Sequence, residues 1–116
     1  MKNILTLIAI CIVSIAYSQD IKPTFTIEGD LVKAVYYNED GSIDTQGYFK
    51  NKKLTGEWIK FDKEGNKVQI AKYKDGKKVG KWFFWDKESL KEVNYNDNVV
   101  VNVSLWKQES YYAVNK

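Results

Sequence analysis

The 116-residue chain contains no histidine and no arginine, and it has one cysteine and one proline. The missing histidine removes His-based triads and imidazole metal sites. The lone cysteine, Cys11, lies in an apolar run near the start. It cannot form a disulfide within the chain or supply a Cys-ligated metal cluster. Ile10 precedes it where a lipidation signal needs a small residue, so no lipid is expected there. A G-x-x-x-x-G-K-[ST] phosphate loop is also absent. The 18 basic residues, all lysine, are interspersed with 15 acidic ones. Nucleic-acid binding usually needs a clustered basic patch with arginine, so no nucleic-acid partner is expected.

The chain begins "MKNILTLIAICIVSIAYSQD". Lys2, the apolar run from Ile4 to Ala16, and small residues at Ala16 and Ser18 form the pattern of a signal peptide over 1–18, cleaved before Gln19. The run is about 13 residues, short of the roughly 20 that span a bilayer. Cleavage removes Lys2 and no acid, which takes the net charge from +3 to +2. The remaining chain is expected to be exported, periplasmic or secreted, with no transmembrane helix. Residues 19–30, with Pro23, read as a flexible lead with at most one edge strand.

What the chain has in abundance is aromatic residues at a fixed spacing. Gly56 and Trp58 recur 24 residues later as Gly80 and Trp82, and then as Ser104 and Trp106. Phe61 aligns with Trp85, Asp62 with Asp86, and Gly41 with Gly65. Tyr48, Tyr73 and Tyr95 follow at the looser spacings of 25 and 22. Agreement at this many positions marks an internal repeat.

Within a unit, "LTGEWIKF" and "NKVQIAKYK" alternate polar and apolar residues, and "DKEG" and "DG" separate them. Such runs between turn residues are the signature of β-hairpins. The expected fold is all-β: an antiparallel meander of about seven strands over 31–106, forming one elongated sheet. Residues 107–116, with Tyr111 and Tyr112, read as a cap or tail.

Residues two apart on a strand share a face. Gly56 with Trp58, and Gly80 with Trp82, therefore point the same way. Glycine weakens a strand unless something needs the space. The expected occupant is a neighbouring aromatic ring, so that Trp58, Trp82, Trp106, Tyr48, Tyr73 and Tyr95 build one ladder. The opposite face carries Ile59, Phe61, Lys81, Phe83 and Trp85, and is the candidate binding face. Either the sheet curls to bury both faces, or this one is left for a partner.

Other motifs point to no chemistry. "DKEGNK" lacks the ligand spacing of a calcium loop and reads as a hairpin turn. Carboxylates such as Glu39, Asp40, Glu88 and Glu92 lie in or beside turns, where nothing raises a pKa for acid–base work. Asn102-Val103-Ser104 fits a glycosylation sequon, read here as chance within a strand. No catalytic, cofactor or metal residue is expected.

"GYFKNKKLTGEWIKFDKEGNK" and "AKYKDGKKVGKWFFWDKESLKEV" resemble the bacterial variant of MORN repeats. The matching residues are Tyr48, Asn51, Gly56, Trp58, Phe61 and Gly65, then Tyr73, Gly76, Gly80, Trp82 and Trp85. The resemblance covers roughly 31–106. It implies hairpin repeats in an elongated sheet and contact with a protein or membrane. In the third unit Ser104 replaces the glycine and Asn98 the turn glycine, so the array is expected to end there.

Similar proteins include a repeat family named for a proposed toxin-neutralising antitoxin, a role at odds with export. They also include small exported proteins named nicotinic acid mononucleotide adenylyltransferase. That name implies adenylyl transfer on an α/β fold with a H-x-G-H-type motif, and this chain has no histidine. The expected function is an exported, non-catalytic module that binds a protein or cell-envelope component. The alternative is recognition of a glycan or lipid headgroup through the same aromatic face.

Overall fold

A computed structural model describes residues 21–107. Residues 1–18, where a signal peptide is expected, and residues 108–116 lie outside the described residues. Nine strands follow one another: β1 (Thr24–Glu28), β2 (Leu31–Tyr37), β3 (Ile43–Lys50), β4 (Lys53–Phe61), β5 (Lys67–Lys74), β6 (Lys77–Lys78), β7 (Gly80–Trp85), β8 (Ser89–Asn96) and β9 (Val99–Lys107). They form one open antiparallel sheet in the order β1-β2-β3-β4-β5-β7-β8-β9, with β6 paired to β5. Spatial order follows chain order, as expected of a meander. The count exceeds seven because Thr24–Glu28 of the lead is an edge strand and because a kink at Val79–Gly80 splits β6 from β7.

Two kinds of turn alternate between the ends of the sheet. At one end, two residues suffice. Asn51 and Lys52, Asp75 and Gly76, and Asp97 and Asn98 all take positive φ. Two successive positive φ values give the primed turn whose twist matches that of the strands it joins. Asn and Asp tolerate this region better than other side chains; Lys52 (φ 65°) has no such help.

At the other end the loops are longer and tied by a side chain. Asp62 N–H donates to Asn66 O (2.8 Å), Gly65 N–H donates to Asp62 O (3.1 Å), and Gly65 has φ 87°. The first unit repeats this with Asn38, Gly41 and Ser42: Asn38 N–H donates to Ser42 O (2.8 Å) and Gly41 N–H to Asn38 O (3.0 Å). The third loop has no glycine and closes one residue sooner, Asp86 N–H donating to Ser89 O (3.0 Å). The bulges at Tyr36/Tyr37 and Lys60/Phe61 have no counterpart in β7–β8, where pairing runs unbroken from Gly80↔Tyr95 to Trp85↔Leu90. One residue lost in the loop and one in the bulge turn the spacing of 24 into the 22 between Tyr73 and Tyr95.

The core is a single row across one face. Ala34, Trp58, Ala71, Trp82 and Val93 are the buried hydrophobic residues, each from a different strand. Tyr36, Phe49, Leu54, Tyr73, Phe84 and Tyr95 pack around them. Among the described residues no second layer closes over the sheet, and the indoles lie down on it and supply cover themselves.

Candidate functional site: two aromatic faces

The buried face explains the Gly-x-Trp motif, though not through the glycines of that motif. A Cβ added at Gly56 would meet nothing within 4 Å, and one at Gly80 only Lys72 Cδ at 3.2 Å. No ring covers either residue, which corrects the expectation that they make room for one. Their requirement is backbone: φ is +65° at Gly56 and +66° at Gly80, a region most L-residues avoid.

Gly56 opens a bulge, so that β3 advances from Gln46 to Tyr48 while β4 retreats from Ile59 to Thr55. The bulge lets Trp58 lie back over the preceding strand. There Gly47 makes the space: an added Cβ would sit 2.0 Å from Trp58 Cδ2. Trp58 Nε1 donates to Tyr48 O, and 24 residues on Trp82 Nε1 donates to Lys72 O, both at 3.0 Å. Phe49 meets Trp58 edge-on at 5.1 Å, as Tyr73 meets Trp82 at 5.2 Å. The counterpart of Tyr73 is therefore Phe49. Tyr48 pairs with Lys33 and Thr55 on the other face. Tyr95 completes the cage around Trp82 at 5.0 Å, and Lys78 Nζ stands 5.1 Å from its ring. Burial pushes the Tyr73 phenol above its usual range, and the neighbouring Tyr95 adds to the shift.

Trp106 does not join this ladder. It pairs with Leu90, and Leu90 with Trp85, so Trp106 lies in the row of Trp85 on the opposite face. The cause is a smaller bulge. Between Asn94 and Tyr95, β9 moves two residues for one of β8, from Asn102 to Val100. The glycine-led bulge in β4 adds two residues; this one, at Val101, adds one. A one-residue slip exchanges the faces of a strand.

The candidate binding face is laid out by the same pairing. Ile59 pairs with Ile70, and Ile70 with Phe83, in one row. Phe83 and Trp85 stack at 5.8 Å with 22° between their planes. Phe61, Phe83 and Trp85 are half-buried and Lys81 is exposed. Lys81 Nζ is 3.9 Å from Glu92 Oε1, an ion pair that borders the stacked rings. None of the core residues lies on this face.

The ionisable groups with shifted carboxyls sit in the long loops. Asp62 is held below its ordinary range by the backbone N–H of Asn66, Asp86 by that of Glu88, and Asp40 by the Ser42 hydroxyl. Asp62 Oδ1 accepts from Glu64 N (3.0 Å) and Asn66 N (2.9 Å), and Asp86 Oδ1 from Glu88 N and Ser89 N (both 2.8 Å). These carboxylates close turns. Their lowered values are the opposite of what a general acid needs near neutral pH.

No protein-family model matches the chain, and neither a curated protein nor a solved structure is significantly similar to it.

Proposed function

We propose that this chain is an exported, non-catalytic repeat module that binds a protein or cell-envelope component through the face bearing Ile59, Phe61, Lys81, Phe83 and Trp85. The supporting observation is the division between faces. The buried row and its hydrogen-bonded indoles occupy one side. The stacked pair Phe83–Trp85 occupies the other, continued through Leu90 to Trp106. Aromatic rings anchored on a rigid sheet offer large contact area at small entropic cost. The likeness of the units to MORN repeats is part of the same reading.

A second reading has its own support. Two near-parallel rings make a platform on which the apolar face of a sugar, or a lipid headgroup, can stack. In-cell cross-linking of the tagged protein, pull-down and mass spectrometry separate the two, with Trp85→Ala as control. A dominant protein partner lost in the variant is the expected result. Recovery only with bulk envelope favours the glycan or lipid reading. Unchanged recovery with Trp85→Ala removes this face from the proposal. Adenylyl transfer by the purified protein would overturn the non-catalytic reading.

A further inference from the structure

The exposed hydrophobic residues concentrate at one edge of the sheet. Six of them (Val99, Val100, Val101, Val103, Leu105 and Trp106) belong to β9. This strand has nine residues and no charge from Val99 to Trp106, and among the described residues no strand pairs with its outer side. Natural edge strands are usually short, charged or interrupted, because an open apolar edge recruits another strand. The far edge follows that rule better: β1 has five residues and ends in Glu28.

We propose that β9 pairs antiparallel with β9 of a second copy, making one continuous sheet across a two-fold axis at Val103. The stretch "VNVSL", Val101 to Leu105, is self-complementary about that residue. Val103 would face its own copy. Asn102 would meet Ser104, and Val101 would meet Leu105, so that polar residues oppose polar and apolar oppose apolar. Beyond these pairs the bulge of β9 between Asn102 and Val100 ends the ladder, because it leaves Val100 and Trp106 on opposite faces. No charge falls within the five paired positions. A two-fold perpendicular to the sheet keeps each face on its own side, so the buried face of one copy continues into that of the other. Pairing β9 with β1 would instead join unlike edges and produce an open-ended chain of molecules. The proposal concerns the edge and does not depend on the aromatic binding face.

The test is the mass in solution across a concentration series, by light scattering on protein purified after expression of the full chain. Wild type is expected to be a dimer that dissociates on dilution. Val103→Lys places two like charges directly opposite each other at the axis, which disfavours pairing. Val103 is 56% exposed, so the substitution leaves the fold intact. That variant is expected to lose the dimer and to keep the thermal midpoint that wild type has at dilutions where it is monomeric. Ile27→Lys, on the other edge at 81% exposure, is expected to keep it. Hydrogen exchange of the β9 amides in wild type provides a reading without mutation, with protection expected to fall on dilution. A monomer at every concentration would overturn the proposal, as would a dimer that survives Val103→Lys or growing assemblies abolished by Ile27→Lys. A monomer whose β9 amides stay protected would also overturn it, and would point to residues 108–116 as the cover.

Discussion

Trp58 and Trp82 differ from Trp85 and Trp106 in everything except residue type. The first pair is 9% and 4% exposed, and each indole N–H donates to a backbone carbonyl of the preceding strand. Trp106 is 36% exposed, and Trp85 is half-buried against Phe83. Among the described residues the sheet is one layer, and its buried side chains all lie on one side. The comparison shows that the repeat spends two of its four tryptophans on holding the sheet together and leaves the other two on the open side.

Truncation is the strongest way to break that distinction. Trp82→Ala is expected to cost about 3–5 kcal/mol in urea unfolding, the usual range for a buried aromatic. Trp106→Ala should stay within about 1 kcal/mol, as exposed positions usually do.

The glycines sharpen the comparison. Gly47→Ala drives a methyl into the Trp58 ring, and overpacking of this kind costs about 1–3 kcal/mol. Trp58 fluorescence should shift as the indole lifts off the sheet. Gly56→Ala meets no atom but forces a side chain into positive φ, at about 1–2 kcal/mol. Its signature is destabilisation without that spectral change.

The smallest effects concern pH. The Asp62 and Asp86 carboxyls are lowered from 3.8 by their loop N–H bonds. The ionised form is thus favoured by the fold. Its stabilising effect is fully present above the unfolded value and is lost as pH falls through the lower folded values. Asp62→Asn should flatten the acid limb of the thermal midpoint. The raised Tyr73 phenol works the other way, contributing below 10.0 and losing its effect as pH rises through its higher folded value. Tyr73→Phe should weaken the alkaline decline.

The architecture was legible because turns and alternation are local. Asp-Gly and Asn-rich turns, strand runs and a 24-residue period all survive translation into the sheet. Register was harder to read. Assigning Trp106 to the ladder assumed that equal spacing means an equal face, and one missing bulge residue defeated that. Gly56 and Gly80 bend the backbone and do not make space, and in sequence the two kinds of glycine look alike. A usable signal existed. Gly47 and Ala71 each stand 11 residues before a docked tryptophan, whereas Tyr95 stands 11 before Trp106. A small residue at that offset marks where an indole can lie flat. Phe49 was hidden beside Tyr48, the residue that looked more like Tyr73.

Indole N–H exchange, followed by NMR on the ¹⁵N-labelled protein, tests the two-sided account without altering a residue. Two of the four indole signals, those of Trp58 and Trp82, should exchange slowly, held by Tyr48 O and Lys72 O. Those of Trp85 and Trp106 should exchange fast. Four similar rates, or a Trp106 signal as slow as that of Trp82, would contradict the division of the sheet into a closed face and an open one.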